Sequence, residues 1–402
     1  MSISKIFHTL IGDKTLIFQR AELHQDYGIF WARLKSSYKQ CPCCNSRHVR
    51  IKETKERTFR MLNLGNMRTH LKVNISKIWC LKCNSKCWVK PNFATGKFPM
   101  TNSFIFYVLQ LAVMTSLLNV ALFLGLKWRT VKSIDKMNLS KHAKLFSYKK
   151  LRYISIDEIA IKRGHKYMTI FTDISTGMII HAVEGRTEEA LRLFLKQLSK
   201  KAKRLRGICI DMSATYAKAI KMHLPHVPII FDRFHVTKLL NDTIDKIRRS
   251  ECMRCQEEGL KVIKGQRFLL LRNFVDLDDN EKTSLEKLLD VNISLAIAHS
   301  MKEQFRLFWD LESKAEAARF LAWWILQAME SGVIQLAKTG RTLLRHFEGL
   351  LNYFEHRINN GKAEGINNKI KVLKRSAYGF HDLEYFKLKL YHLHQKECEL
   401  IG

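Results

Sequence analysis

The sequence predicts a mixed α/β protein, with a core sheet that is interrupted by an α-helical insertion and preceded by a β-rich cysteine module and short helices. Three observations predict this class. Two Cys-x-x-Cys pairs, separated by β-rich sequence, lie within residues 36–100. From Tyr153, three strand-like runs precede alternating helices and strands. Residues 251–345 have helical periodicity.

Charge is the most informative feature of the composition. Lys and Arg number 69 against 37 Asp and Glu, a net charge of +32 that is spread along the whole chain. A chain so positive repels itself unless it works against a polyanion, and neutralising phosphates releases condensed counterions. We therefore expect a nucleic-acid partner, with a ribosomal-type structural protein or a membrane-surface binder as the alternatives.

The beginning of the chain lacks the long apolar core and the small-residue cleavage site of an export signal. The most apolar stretch, Phe104 to Leu126, is interrupted by polar residues, so it predicts packed helices and not a membrane span. The ten cysteines are then expected in a reducing compartment, where clustered thiols indicate metal binding. This predicts a cytoplasmic protein without a membrane partner.

The cysteine module contains two knuckles, Cys41-Pro-Cys-Cys44 and Cys80-Leu-Lys-Cys83. Each knuckle can supply two thiolates to one tetrahedral Zn²⁺, and a segment this small needs the metal for folding. The expected ligands of a structural zinc ion are Cys41, Cys44, Cys80 and Cys83. Cys43 and Cys87 are rival ligands, and buried free cysteines are the alternative.

Residues 101–140 have the pattern of a helix, a tight turn and a second helix. Thr101 is a good N-cap, and Gly125 ends a short apolar helix. A basic helix follows, as in a helix-turn-helix whose second helix enters the major groove. The residues that it would present to DNA are Arg129, Lys132 and Ser133. Any pair of packed helices is the alternative.

The strand-like runs from Tyr153 predict an antiparallel meander, followed by a helix, a buried strand, another helix and another strand. This is the order of an RNase-H-like fold, in which the first strand and the strand after the first helix are neighbours. Asp157 and Asp211 end apolar runs on these two strands and should face one crevice. The alternative is that each acid caps a turn. Glu158 is a rival that period-two alternation directs to the opposite face.

Two carboxylates at neighbouring strand positions repel each other, and a divalent cation offsets that cost. Mg²⁺ prefers sites with one or two carboxylates, several waters and substrate phosphates. Two ions, Mg²⁺ or Mn²⁺, could activate the attacking oxygen and stabilise the leaving oxygen of a phosphoryl displacement. A third acid must come from a helix packed against the sheet.

The best candidate for the third acid is Glu364, and a solvated helix acid is the alternative. Amide and basic side chains suited to DNA phosphates recur near helical spacing around it: Asn359, Asn360, Asn367, Lys371 and Arg375. The basic residues expected to position DNA phosphates are Lys371, Lys374 and Arg375. Glu348 and Glu355 are rivals without this setting.

Several segments resemble the DDE transposases of the ISL-three insertion-sequence family. They are Ile156-Asp-Glu, Asp211-Met-Ser-Ala-Thr-Tyr, Asp232-Arg-Phe-His235, and Glu364 to Arg375, followed by Gly379-Phe380. The zinc knuckles and the helix-turn-helix match that family in order, so the resemblance covers most of the chain. The extra thiol of Cys43 is a departure that leaves the zinc ligand set open.

The resemblance implies an RNase-H-like core, catalytic roles for Asp157, Asp211 and Glu364, and binding to terminal inverted repeats. Asp232 and His235 resemble the D-x-x-H signature of several transposase families, which suggests an accessory metal or DNA role. A structural hydrogen-bonded pair is the alternative for these two residues.

The expected domains are, in chain order, a helical lead-in (1–35), a zinc-binding module (36–100), a helix-turn-helix (101–145), the first part of the RNase-H-like core (150–250), the α-helical insertion (251–345) and the carboxy-terminal helices of the core (346–402). Three details are expected to be structural. Trp323 and Trp324 should belong to the core of the insertion, Asp173 to a turn, and Cys252 with Cys255 to a thiol pair without zinc.

We therefore expect a bacterial, nucleoid-associated transposase that hydrolyses a phosphodiester and uses the freed 3′-OH to attack target DNA. Its partners would be double-stranded DNA, as element ends and target, and a second copy of the chain in a synaptic homodimer. Two other classes stay open. One is a zinc-finger regulator with a degenerate nuclease-like domain, and the other is a junction-resolving nuclease that cuts without joining.

Overall fold

The computed structural model describes residues 3–35, 40–142, 147–162, 166–254, 263–358, 361–377 and 379–393. They form two compact units, one that extends to residue 142 and one that follows it. Among the described residues, no helix is both long and apolar enough to cross a membrane.

The first unit begins with helix α1 (Ile3–Ile11) and contains a five-stranded sheet. Its strands are β1 (Leu16–Leu23), β2 (Tyr27–Leu34), β3 (Val49–Arg60), β4 (Arg68–Cys80) and β5 (Lys86–Trp88). The order is β1-β2-β4-β3, with β5 also paired to β4. The β2–β4 pair is parallel, and the other pairs are antiparallel.

The expectation of a helical lead-in over residues 1–35 is wrong beyond Ile11, because residues 16–34 form β1 and β2. Alternating side chains such as Phe30 and Ala32 enter a core that they share with β4 residues such as Leu71. The predicted boundary at residue 35 therefore separates strands of one sheet. The cysteine module also has more hydrophobic core than its sequence suggested.

Three helices complete the described part of the first unit: α2 (Asn102–Met114), α3 (Leu117–Leu124) and α4 (Trp128–His142). The Thr101 side chain accepts a hydrogen bond from the Phe104 N–H, so the predicted N-cap is confirmed. Gly125 ends α3 with a left-handed φ of 64°, which glycine adopts at little cost. Apolar side chains such as Val108 and Ile134 pack these helices together.

The second unit is built on a sheet of five strands and two helices that follow in order: β6 (Tyr153–Lys162), β7 (Lys166–Asp173), β8 (Ile179–Glu184), α5 (Glu188–Lys201), β9 (Gly207–Ile210), α6 (Ala214–His223) and β10 (Ile229–Phe231). The strand order is β10-β9-β6-β7-β8. The predicted meander is confirmed by the antiparallel β6–β7 and β7–β8 pairs. The predicted neighbours, β6 and β9, are parallel and paired.

Helices account for most of the remaining chain: α7 (Arg233–Arg254), α8 (Arg267–Leu271), α9 (Asp279–Val291), α10 (Ile293–Leu307), α11 (Lys314–Glu330), α12 (Ile334–Arg345), α13 (Phe347–His356), α14 (Gly361–Ser376) and α15 (Leu383–Tyr391). The predicted helical character of residues 251–345 is thus confirmed where it is described. The boundary expected at residue 250 falls inside α7, because its buried side chains Ile244 and Ile247 belong to one continuous helix.

The two adjacent tryptophans of α11 have different environments. Trp324 is fully buried and its indole N–H donates to the Met301 carbonyl at 2.9 Å, as expected for a core residue. Trp323 is 44% exposed, so the core expectation is wrong for that residue. Neighbours on a helix point about 100° apart, so burial of one does not bury the other.

The remaining structural details are partly described. Asp173 accepts from the Ser175 N–H at 3.0 Å and from the Thr176 hydroxyl at 2.7 Å, so its predicted turn role is confirmed. Cys255 lies outside the described residues, and the predicted thiol pair with Cys252 therefore stays a prediction.

Candidate active site

Three aspartates stand in a row at one edge of the sheet of the second unit. Ile156 of β6 pairs with Ile210 of β9, which pairs with Phe231 of β10. The residue after each of these is an aspartate: Asp157, Asp211 and Asp232. Because the three strands are parallel to one another, the register places these acids at neighbouring positions.

Asp211 and Asp232 each accept a hydrogen bond from the backbone two residues ahead. The donors are the Ser213 N–H, at 3.2 Å, and the Phe234 N–H, at 3.1 Å. Such contacts hold the carboxylates at the strand ends. They are also what a turn-capping acid would make, so the case for chemistry depends on the neighbouring charges.

Those charges act on one another. Burial, reinforced by the charges of Asp157 and Asp232, raises the pKa of Asp211, against the opposing effects of His235 and the Ser213 N–H. The 3.1 Å hydrogen bond between His235 Nδ1 and Asp232 Oδ2 raises the pKa of His235, although burial opposes it. A cation bound beside Asp211 would stabilise this buried carboxylate, which has further aspartates on either side.

Glu158 lies on the other face of β6, as the alternation predicts. Its cross-strand partner is Thr169, whose hydroxyl is 2.9 Å from the Tyr216 hydroxyl of α6. The Glu158 carboxylate is 3.6 Å from Arg186, and burial raises its pKa despite that ion pair. Glu158 therefore belongs to the side of the sheet that packs against α6.

Helix α14 is joined to β6 by two polar contacts. The Asn367 side-chain amide donates to Oδ2 of Asp157 at 2.5 Å, and the Lys374 ammonium donates to the Ala160 carbonyl. Glu364 lies one turn before Asn367, on the same face of the helix, and is exposed. The structure thus brings the helix that carries Glu364 to the first aspartate.

The carboxylates themselves are not drawn into a tight cluster. Within the described ranges, only cysteines form sets of three or more possible ligand atoms that all lie within 4.8 Å of one another. Of the basic residues expected near DNA, Lys371 and Arg375 are exposed. Asn359 and Asn360 lie outside the described residues.

The two rival glutamates are placed differently. Glu355 pairs with Lys314 at 2.9 Å on the surface of the helical region. Glu348 is exposed on α13, the helix that packs against β10. The contact that sequence reasoning missed is that of Asn367, whose amide was expected at DNA phosphates and instead bonds Asp157. Its spacing of three residues from Glu364 was the available signal.

The cysteine knuckles of the first unit share one geometry. An asparagine with positive φ follows the second cysteine of each, with 58° at Asn45 and 55° at Asn84. In each knuckle the N–H of the first cysteine, Cys41 or Cys80, donates at 2.9 Å to the carbonyl five residues on. The repeated turn brings the two pairs of thiols close together.

The sulfur positions fit a zinc ion. Cys41, Cys44, Cys80 and Cys83 have Sγ atoms that all lie within 4.8 Å of one another. The Cys41–Cys83 pair is 3.6 Å apart and the Cys44–Cys80 pair 3.5 Å. A tetrahedron with Zn–S bonds of about 2.3 Å has edges of about 3.8 Å. The Ser85 hydroxyl, 3.4 Å from Cys41, is the largest influence lowering the pKa of that thiol to about 5.

A second sulfur group shares one member with the first. Cys43 and Cys87 lie within 4.8 Å of Cys41 and of each other. Cys43 is exposed and Cys87 is partly buried. A three-thiol group needs a further ligand to complete a tetrahedron, whereas the four-thiol group does not.

The three side chains of helix α4 that were expected to face DNA differ in their exposure and contacts. Arg129 is exposed, and the Ser133 hydroxyl donates back to the Arg129 carbonyl at 2.8 Å. The Lys132 ammonium lies 5.6 Å from the centre of the Trp128 ring, in cation–π geometry.

Comparison with known proteins identifies the family of the chain. Residues 154–390, more than half of the chain, match the ISL-three family of DDE enzymes, described as transposases. Residues 37–83 match the zinc finger of the transposases of IS204, IS1001, IS1096 and IS1165. The chain therefore belongs to the ISL-three family of transposases. The zinc-finger match includes both knuckles and ends before Cys87.

Among individual relatives, the chain is similar to the transposase for insertion sequence element IS1001 of Bordetella parapertussis. The two are 30% identical over 393 residues, which cover 96% of this chain and 97% of the relative. The transposase for insertion sequence element IS1557 of Mycobacterium tuberculosis is 23% identical over 410 residues, covering 94% and 92%. The Drosophila P element transposase strand transfer complex aligns at a TM-score of 0.41 and 11% identity, over 73% of this chain and 92% of that one.

Proposed function

We propose that this transposase cuts and rejoins double-stranded DNA at a site formed by Asp157, Asp211 and Glu364, in an RNase-H-like core. The observation that carries the proposal is the register that sets Asp157 beside Asp211, with the helix of Glu364 bonded to Asp157 through Asn367. The mixed sheet order β10-β9-β6-β7-β8 supports the fold assignment. The proposed domains and their order are those expected from the sequence, with one change. Residues 16–34 belong to the same sheet as the zinc-binding module.

Asp157 and Asp211 would hold two Mg²⁺ or Mn²⁺ ions, and Glu364 would complete the coordination of the second. The carboxylate oxygens fit because hard divalent cations prefer them. Burial, with the charges of Asp157 and Asp232 added, raises the pKa of Asp211, and a bound cation would counteract that effect. Such ions activate the attacking oxygen and stabilise the leaving oxygen in phosphoryl transfer. Exposure of Glu364 leaves it free to approach them when DNA is bound.

The protein's own side chains would orient and neutralise the DNA. Lys371 and Arg375 project from the exposed part of α14, where they would bind phosphates next to the scissile bond. Lys374 anchors the helix to β6, and its ammonium adds positive charge at the same edge. Asp232 would hold His235 in its protonated form beside Asp211, where the imidazolium would bind a phosphate oxygen.

The first unit would recognise the ends of the element, through terminal inverted repeats. The zinc-stapled turns would stabilise the sheet, and α4 would place Arg129, Lys132 and Ser133 in the major groove as the second helix of a helix-turn-helix. Two ends must be joined in one reaction, so we expect a homodimer in the synaptic complex.

The test is cleavage and strand transfer by the purified chain on DNA that carries the ends of the element, with Mg²⁺. Asp157→Asn, Asp211→Asn and Glu364→Gln should each abolish cleavage and leave end binding nearly unchanged. Glu348→Gln, which removes an exposed rival acid, is the matched control and should cleave at the wild-type rate.

The outcomes separate the candidate functions. If Glu364→Gln cleaves at the wild-type rate and Glu348→Gln does not cleave, the role of the third acid would pass to Glu348. End binding without any nicking by the wild-type chain would favour a regulator. Cutting of branched DNA without joining and without specific ends would favour a junction-resolving nuclease.

A further inference from the structure

A cavity of ≈ 340 Å³ in the first unit has two arginines and a histidine among its lining residues, and no acid. It lies between the outer face of the sheet and the turn that joins α3 to α4. Arg60, Arg68 and His70 contribute its charged or ionisable side chains, and Thr58, Gly125 and Leu126 lie beside them. Three basic groups facing one concavity repel one another unless an anion joins them.

Arg60 is built into the wall of this cavity. It is 9% exposed, and its guanidinium donates to the Thr69 carbonyl at 3.2 Å and to Asn63 Oδ1 at 2.7 Å. The same group lies 5.2 Å from the centre of the Phe104 ring. These partners are neutral, so they fix the side chain in place and leave its charge without a counter-charge.

Arg68 closes the cavity on the side of the helix turn. Its guanidinium lies so close to Gly125 that a Cβ there would be 3.0–3.2 Å from guanidinium atoms. The turn therefore requires glycine for its φ of +64°, and a Cβ at this position would push the Arg68 guanidinium aside by a few tenths of an ångström. In the part of the chain that the structure describes, Arg68 forms no ion pair with a carboxylate, and neither does Arg60 or His70.

The pKa values of Arg60 and His70 reflect this lack of a counter-charge. Burial, with the charge of Arg68 added, lowers the pKa of Arg60. Burial also lowers the pKa of His70, with further contributions from Arg60 and Arg68. Each group is thus disfavoured in its charged form by its surroundings, and a bound anion would reverse that effect.

We propose that this cavity binds a phosphate group, held by the two guanidinium groups and the His70 ring. Guanidinium groups match phosphate oxygens in charge and in geometry, and two of them meet here. The phosphate has two possible sources, a DNA backbone phosphodiester or a free phosphate. Position at the turn before α4 favours the DNA backbone, and this choice rests on the DNA binding proposed above for the first unit.

The experiment compares the full-length wild-type chain with Arg68→Gln, Arg68→Lys and a control, Arg33→Gln. Arg68 is exposed, so its replacement should not unfold the sheet, and Arg33 is an exposed arginine of β2 outside the cavity. Two quantities are measured without added Mg²⁺. One is the affinity for duplex DNA as a function of salt, and the other is the shift in Tm caused by inorganic phosphate at constant ionic strength.

If DNA supplies the phosphate, Arg68→Gln should weaken binding to all duplexes alike and lower the slope of log Kd against log salt by about one. Arg68→Lys should recover part of the affinity. If free phosphate is the source, Arg68→Gln should abolish the phosphate-induced rise in Tm and leave DNA binding unchanged. Either result supports the phosphate site.

Two results would overturn it. One is an Arg68→Gln chain that matches the wild type in both measurements, and the other is an equal loss in Arg33→Gln, which would reveal only bulk charge. The DNA affinity of the wild-type chain is measured in the same experiment. It tests the proposed DNA binding of the transposase separately from the phosphate site. Wild-type chain that binds no DNA but gains Tm with phosphate would support the site and contradict the proposed function.

Discussion

The side-chain amide of Asn367 donates a hydrogen bond to Oδ2 of Asp157, across a separation of 210 residues. This contact ties the helix after the insertion to the first strand of the sheet. It also means that one oxygen of the leading candidate metal ligand is oriented by a neutral donor. Groups that orient metal ligands in this way commonly affect metal affinity by about 10–100-fold.

Replacement of Asn367 by alanine should therefore weaken divalent-metal binding at the proposed active site. We expect Asn367→Ala to need about tenfold more Mn²⁺ or Mg²⁺ for half-maximal cleavage, because Asp157 loses its orienting donor. The measurement is cleavage rate against metal concentration. Asn368→Ala, which removes the exposed neighbouring amide, is the control and should keep the wild-type metal requirement. An unchanged metal requirement in Asn367→Ala would mean that the contact is only structural.

Zinc content should separate the four-sulfur group from its rivals. We expect Cys83→Ser to lose bound zinc, because the four-thiol tetrahedron would then lack one of its ligands. Cys43→Ser and Cys87→Ser should each retain one zinc ion per chain. Metal content per chain, measured by mass spectrometry of the metal, checks this prediction. Loss of zinc in Cys87→Ser with retention in Cys83→Ser would reassign the ligand set. Chelation of the zinc should weaken end binding before it affects cleavage.

Gly349 packs so closely against Phe231, behind the candidate site, that a larger residue should destabilise the protein. A Cβ at Gly349 of α13 would lie 2.4 Å and 2.6 Å from two ring atoms of Phe231, the residue before Asp232. We expect Gly349→Ala to destabilise the second unit by about 1–3 kcal/mol, as overpacked cores are. Cleavage should fall with it, because a displaced Phe231 shifts Asp232.

The matched control for that substitution is Gly365→Ala. A Cβ at Gly365 on α14 meets nothing within 4 Å, so alanine there should stabilise the helix by up to about 1 kcal/mol. Urea unfolding followed by hydrogen exchange of amides in the second unit compares the two variants, because four of the seven tryptophans lie in the first unit. Equal stability of Gly349→Ala and the wild type would show that α13 moves away from β10 without cost.

Low pH should destabilise the second unit, because this unit contains the partly buried histidine His181. Burial, with the charge of Lys387 added, lowers the pKa of His181 to about 4. The unfolded chain takes up that proton near pH 6.5, so below this pH the unfolded state binds more protons than the folded state. Stability should then fall as the pH drops from 6.5 to 4, by about 3 kcal/mol at most from this residue.

Hydrogen exchange of the β7 and β8 amides measures this loss without interference from the zinc of the first unit. In His181→Gln the difference in protection between pH 6.5 and pH 4.5 should be smaller than in the wild type. His24→Gln, which replaces an exposed histidine of the first unit, should leave that difference unchanged. The idea fails if both variants retain the full pH dependence.

Local patterns predicted the parts of this protein whose hydrogen bonds are made within a few residues. The Thr101 N-cap, the Gly125 helix end and the repeated cysteine knuckles follow from such contacts, and the structure has all three. The alternation of apolar residues predicted the meander from Tyr153 and the opposite direction of Glu158. Lys and Arg in large excess predicted a polyanionic partner before any fold was known.

Contacts between distant segments could not be derived in the same way, because the free energy of packing depends on neighbours that the local pattern does not name. Residues 16–34 form an antiparallel pair of strands that is joined to β4 and shares a core with it. The fifth strand, β10, brings Asp232 into the row beside Asp211, and helix α14 brings Asn367 to Asp157.

The amino-acid sequence by itself determined the class of the protein, its charge, its zinc knuckles and its three candidate acids, since each depends on residue type and short spacing. Only the tertiary structure decided which side chains meet. Strand register set the row of aspartates, and the packing of the sheet against the α3–α4 turn gathered Arg60, Arg68 and His70 around one cavity. Register and packing are settled by the whole chain at once, because each pairing stabilises the others.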